Sequence, residues 1–138
     1  MNVLVPIDGS EPATRALELA CEQYPAAEIT ALYVSKLSSG QDRVMAGGRF
    51  EDWQKTEESR AADIFSDARK IASAHSIDLE TVHTFGDPLR YIVSYAEKNE
   101  IDQIILGSRG RDRTPKYLLG SVAERVVRRA PMPVLVVK

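Results

Sequence analysis

The sequence predicts an α/β fold, a parallel sheet with helices on both faces. Two observations predict it. Strand-like and helix-like runs alternate along all 138 residues, in the order β-α-β-α-β-α-β-α-β. The first strand-like run, Asn2 to Ile7, is apolar with no polar alternation, the mark of a strand covered on both faces. A third observation places a candidate site: Gly107, Gly110, Gly120 and Ser121 form a G-x2-G-x9-G-S pattern between the fourth strand and the last helix.

Asn2 to Ile7 is the first apolar run. Pro6 has no N–H to give a ladder and is tolerable only near the strand's end, where it stiffens the approach to Asp8. Ala13, Ala16, Leu17, Ala20, Cys21 and Tyr24 then recur at helical spacing, with Ser10 as cap and Pro12 in the first turn. Ile29 to Val34 is the second strand, and Lys36 to Gly48 reads as a loop. A long helix follows, with Ala61, Ile64, Phe65, Ala68, Ile71 and Ala72 as its stripe. Leu79 to Phe85 is the third strand. Gly86-Asp87-Pro88 turns into a helix capped by Asp87, with Leu89, Ile92, Val93 and Ala96 inward. Ile101 to Leu106 is the fourth strand. Ser121 and Glu124 read as a capping box for the last helix, with Val122, Ala123, Val126, Val127 and Ala130 inward. Val134 to Val137 is the fifth strand.

Length and composition fit one domain over residues 1–138, with 43% apolar and 28% charged residues. A net charge of -2 argues against nucleic acid or an anionic membrane as partner. The charge is uneven. Residues 107–138 hold eight Lys/Arg against two Asp/Glu, and the rest holds ten against eighteen. The basic third contains the glycine pattern. Arg125, Arg128 and Arg129, however, fit an outer helix face near its C-terminal end, where the dipole favours cations. One cysteine excludes an internal disulfide, and no apolar run approaches a membrane span or resembles a signal peptide, so a cytoplasmic setting is expected.

In a parallel α/β sheet, ligands sit beyond the carboxyl ends of the strands, where the winding reverses. Asp8-Gly9-Ser10 follows the first strand and the glycine pattern follows the fourth. Small residues let backbone approach an anion, and a helix start offers free N–H groups to phosphate. Each half alone equally suits an ordinary turn or cap. The long loop between them is the stronger signal, because strand-to-helix loops are mostly short. Neither GxxxxGK[ST] nor GxGxxG occurs. Asp8 suits ribose hydroxyls, an indirect contact to phosphate-bound Mg²⁺, or a simple turn. His75 and His83 lack partners at metal-ligand spacing and read as structural, Cys21 as core, and Phe50 and Trp53 as local packing. No group of catalytic residues stands out.

At these residues the chain resembles the universal stress protein family over nearly its whole length. Val5-Pro6-Ile7-Asp8-Gly9-Ser10, Leu32-Tyr33-Val34, Gly86-Asp87-Pro88, Gly107 to Ser121 and the closing Ala130 to Val137 carry the likeness. The glycine pattern marks the family's ATP-binding branch. The resemblance implies a three-layer, Rossmann-like sandwich on a five-stranded parallel sheet ordered 3-2-1-4-5, ATP (or ADP or AMP) with Mg²⁺ on its phosphates, and a homodimer. It implies that Pro6, Ile7 and Val34 surround adenine and that Asp8 and Gly107 hold ribose; Leu106 also counts among the nucleotide-binding residues, as does Arg109, which either adds a phosphate contact or points outward. Gly110, Gly120, Ser121 and Val122 would cradle phosphates. Arg109 and Tyr33 each stand where many members carry histidine; at Tyr33 a backbone contact is indifferent to the change. The basic stretch Arg111 to Lys116, with Pro115, is unusual.

The last strand also has an argument of its own. An apolar edge strand is a liability, so Pro133, Val134, Leu135, Val136 and Val137 are expected to pair antiparallel with their copy across a two-fold axis. The leading expectation is an ATP-binding stress regulator with an unidentified protein partner. The rivals are a slow ATP hydrolase, for which Asp8 is the only good candidate to orient a nucleophile, and a nucleotide-independent interaction module.

Overall fold

In a computed structural model of the chain, residues 1–36, 50–111, 115 and 118–138 are described. The expected loop beyond Lys36 and most of the basic stretch, including Lys116, lie outside these residues. Among the described residues, five strands and four helices follow in order: β1 (Asn2–Pro6), α1 (Glu11–Gln23), β2 (Glu28–Lys36), α2 (Phe50–Ala74), β3 (Glu80–Gly86), α3 (Pro88–Lys98), β4 (Gln103–Gly107), α4 (Ser121–Arg129) and β5 (Val134–Val137).

All pairings are parallel and the sheet order is β3-β2-β1-β4-β5. The winding therefore reverses between β1 and β4. Pro6 is the last residue of β1, so its missing N–H costs the ladder nothing; Ile7 resumes the bonding by donating to the Leu32 carbonyl at 2.8 Å. Strand alternation splits the core in two. Val3, Val5, Tyr33 and Ile105 pack under α1 and α2. Leu4, Leu32, Ile104 and Leu106 pack under α3 and α4. The result is the three-layer sandwich that the alternation predicts.

The helices follow their sequence signals unevenly. Ser10 caps α1 as expected, accepting from the Ala13 N–H at 3.4 Å, with Pro12 in the first turn. Asp87 occupies the cap position of α3, yet its side chain makes no capping bond. The expected capping box of the last helix is absent. Gly120 is the cap residue, in extended conformation, and Ser121 is already helical. A side chain at Gly120 would crowd the Arg109 and Ser108 backbone, which explains why glycine holds that position. Val127, expected inward, is 45% exposed; it lies off the stripe formed by Ala123 and Val126. In α2 the buried stripe is Trp53, Glu57, Ala61, Phe65, Ala68 and Ala72, with Ile64 and Ile71 only half-buried. Cys21 lies in the core beneath α1; burial first, then Glu22 and Glu18, pushes its thiol up from the ordinary value. Among the described residues no helix is long and apolar enough to cross a membrane.

Candidate functional site

Three strand ends and one helix start converge on a single cavity of about 300 Å³, at the lower bound for small-molecule sites. β1 brings Pro6 to it, and the turn beyond brings Ile7 and Asp8. β2 brings Val34, and β4 brings Leu106 and Gly107. Arg109 and Gly110 follow on the loop, and Gly120, Ser121 and Val122 stand at the start of α4. All eleven residues singled out from the sequence line this one space. Pro88 and Ile92 of α3 close its apolar side opposite Leu32 and Val34.

The glycines are required by close approaches. A Cβ on Gly107 would lie 2.7 Å from the Ala13 nitrogen and 2.8 Å from the Pro12 carbonyl carbon, so the glycine lets β4 run against the first turn of α1. A Cβ on Gly110 would lie 2.6 Å from Asp8 Oδ2. A Cβ on Gly120 would lie 3.0 Å from the Arg109 Cα. The long loop is tied at its base: the Gly120 N–H donates to the Ser108 carbonyl at 2.6 Å, and the Ser108 N–H donates to the Val137 carbonyl at 2.7 Å. This closure brings the first turn of α4, with its unbonded N–H groups, beside the end of β4. Ser108 was invisible to motif reading; its burial, at 5% exposure, follows from that tie.

Asp8 does two structural tasks. Its Oδ1 accepts from the Ser10 N–H at 2.9 Å, closing its own turn. Its Oδ2 accepts from the Arg111 N–H at 3.1 Å, pinning the glycine loop across the reversal point. Lys36, Arg109 and Arg111 line the same cavity, so among the described residues three cations stand against one carboxylate. That balance suits an anionic ligand. A backbone cradle that side chains would fill, an apolar slot and a cationic rim together fit an adenine nucleotide.

Sequence reasoning did not find Lys36 or Glu57, and it noted Arg111 and Tyr33 without giving their side chains a task. Tyr33 was expected to matter through backbone only, yet its hydroxyl accepts from Arg111 Nη2 at 3.3 Å and donates to Glu57 Oε1 at 3.2 Å. The signal was present: Glu57 falls on the apolar stripe of α2, between Trp53 and Ala61. His83 stacks on Tyr33 with ring centroids 5.3 Å apart and shares a 2.8 Å hydrogen bond with the Ser35 hydroxyl. Burial lowers its pKa, with Glu57 and Glu58 pulling the other way. Trp53 packs edge-on against Phe85 with centroids 5.6 Å apart, as local packing requires.

Residues 1–138 match the model of the universal stress protein family. A universal stress protein of Methanocaldococcus jannaschii is 34% identical over 99% of this chain and 81% of its own length. The solved universal stress protein UspA of Lactobacillus plantarum superposes with a TM-score of 0.81 at 30% identity, covering all of this chain and 97% of the other. A universal stress protein solved in complex with cAMP superposes with a TM-score of 0.69 at 25% identity, covering all of this chain and 96% of the other.

Proposed function

This chain belongs to the universal stress protein family, and we propose that it is an adenine-nucleotide-binding regulator that holds its ligand rather than consuming it. The observation that carries this reading is the convergence of Asp8, Gly107, Gly110, Gly120 and Ser121 on one cavity beside an apolar slot. The likeness to a family member solved with cAMP supports the ligand class. In this reading Pro6, Ile7, Val34 and Leu106 take the adenine, and Asp8 and Gly107 the ribose. Arg109, Gly110, Gly120, Ser121 and Val122 take the phosphates. ATP, or else ADP or AMP, is the resident ligand. Mg²⁺ would come with the phosphates of ATP and offset their charge, with Asp8 as the residue that would hold it indirectly.

Asp8 favours holding over hydrolysis. Each of its oxygens already accepts one backbone N–H, and in this reading its remaining lone pairs go to the ribose and to Mg²⁺-bound water. Phosphoryl transfer to water needs a group free to orient the nucleophile, and among the described residues no other carboxylate lines the cavity. We assign the protein to the cytoplasm as a single domain. It acts as a homodimer through Pro133 to Val137 and relays a stress-linked nucleotide signal to a protein partner. Support for the dimer is the position of β5 at the sheet edge, paired only with β4 among the described strands, with Leu135 37% exposed.

The test is chemical. Purified protein is denatured and the released small molecules are separated and identified; the stripped protein is then melted with ATP, ADP, AMP and cAMP. We expect an adenine nucleotide in the released fraction, or a higher melting temperature with at least one of the four. An empty fraction and four unchanged melting curves would leave the nucleotide-independent interaction module as the better reading.

A further inference from the structure

Helix α2 carries a carboxylate in its buried stripe. Glu57 is 6% exposed, and the other stripe residues are apolar. A buried carboxylate persists only where it is paired and hydrogen-bonded. Its Oε2 pairs with Arg60 at 3.2 Å, and Arg60 is half exposed. Its Oε1 accepts from the Tyr33 hydroxyl at 3.2 Å. Tyr33 is 1% exposed, and its oxygen accepts from Arg111 Nη2 at 3.3 Å. The Arg111 guanidinium carbon also lies 5.9 Å from the centroid of the Tyr33 ring. The Arg111 N–H is held in turn by Asp8. A continuous polar line thus runs from the cleft, through the core beside β2, to the surface of α2.

The line has a direction set by chemistry. A carboxylate can only accept and a guanidinium can only donate, while a phenol has one proton to give. The Tyr33 proton therefore goes to Glu57, and the oxygen's lone pairs are left for Arg111. Removing the Glu57 acceptor frees that hydroxyl to turn. Arg111 itself lines the cavity, and among the described residues no carboxylate pairs with its guanidinium. It is a tethered cation at the rim of the cleft with donor capacity to spare, and guanidinium is well suited to phosphate.

We infer that Arg111 is a specificity determinant of the cleft, selecting phosphorylated adenosine over the free nucleoside, and that Tyr33 and Glu57 are its positioning residues. This rests on the nucleotide reading above and adds to it a side-chain reader outside the glycine cradle. Because Arg111 is exposed and tethered at one nitrogen, its effect is one of preference. Loss of the tether lowers affinity for the anionic ligand and leaves the adenosine part of the site intact.

Calorimetric titrations with AMP and with adenosine test this on stripped wild type, Arg111→Ala, Tyr33→Phe, Glu57→Leu and Glu57→Gln, each checked for native circular dichroism. Tyr33→Phe keeps the ring and fills the same core volume, so it remains informative should Glu57→Leu misfold. We expect Tyr33→Phe and Glu57→Leu to weaken AMP by about three- to tenfold and adenosine by no more than about twofold, the size of a partly exposed charged hydrogen bond. Glu57→Gln keeps an accepting oxygen in place and should retain most of the AMP preference. Tyr33→Phe added to Arg111→Ala should cost nothing further, since both remove one interaction. An AMP preference unchanged in Arg111→Ala or Tyr33→Phe overturns the inference while the nucleotide reading stands. Equal losses for AMP and adenosine would mean a merely structural network and overturn it too. Wild type that binds neither AMP nor any other adenine nucleotide overturns both.

Discussion

Single residues set this cleft through what they leave out. Gly107 lacks the Cβ that would meet two backbone atoms of α1, at Ala13 and Pro12. Backbone cannot swing aside as a side chain can, so Gly107→Ala must push β4 away from α1. We expect a loss of about 1–3 kcal/mol in urea unfolding, the usual cost of overpacking; a variant as stable as wild type would contradict the contact. His83 gives a second test at this scale. Its folded pKa lies below the ordinary 6.5, chiefly through burial. The unfolded chain therefore binds the proton more readily, and stability present above pH 6.5 is lost as pH falls through 6.5 toward the lower folded value. Urea midpoints measured from pH 8 to pH 5 should fall more steeply in wild type than in His83→Gln. Parallel curves would remove His83 from the account.

At the scale of elements, the sequence was legible wherever periodicity and burial agreed. The central strands β1 and β4 have no polar alternation because both faces are covered, and α1 shows its stripe, its Ser10 cap and its Pro12 start together. Boundaries drifted where the signal was local. Ser121 followed by Glu124 looks like a capping box, yet Gly120 is the cap because a side chain there would strike the Arg109 and Ser108 backbone. Ser121 is thereby left on the cleft wall without a capping task. Asp8 and the glycines were readable because aspartate and glycine leave clear marks at strand ends, whereas Pro6, Ile7 and Val34 came only with the family resemblance. The task of Tyr33 was not readable, because it occupies an ordinary interior strand position; Glu57 did leave a signal, a carboxylate on an apolar stripe, but its partner emerges only when β2, α2 and the loop after β4 meet. Tertiary contacts between residues distant in sequence leave no periodic trace.

For the whole molecule, the order β3-β2-β1-β4-β5 explains why the two loops meet, since it sets β1 beside β4 at the reversal. It also leaves the apolar β5 as an edge, with Leu135 and Val127 exposed. If β5 pairs with its copy, sedimentation at micromolar concentration gives a dimer, and Leu135→Lys shifts it toward monomer by placing like charges across the axis. A wild-type monomer would refute that pairing while leaving the cleft untouched. The cleft itself is the central claim. Titration of stripped protein with ATP, in wild type and in folded Gly120→Val, tests it most directly. We expect one site per chain in wild type and affinity lowered by at least about tenfold, or about 1.4 kcal/mol, when the cradle is filled. No heat of binding in wild type, or equal binding in both, would contradict it.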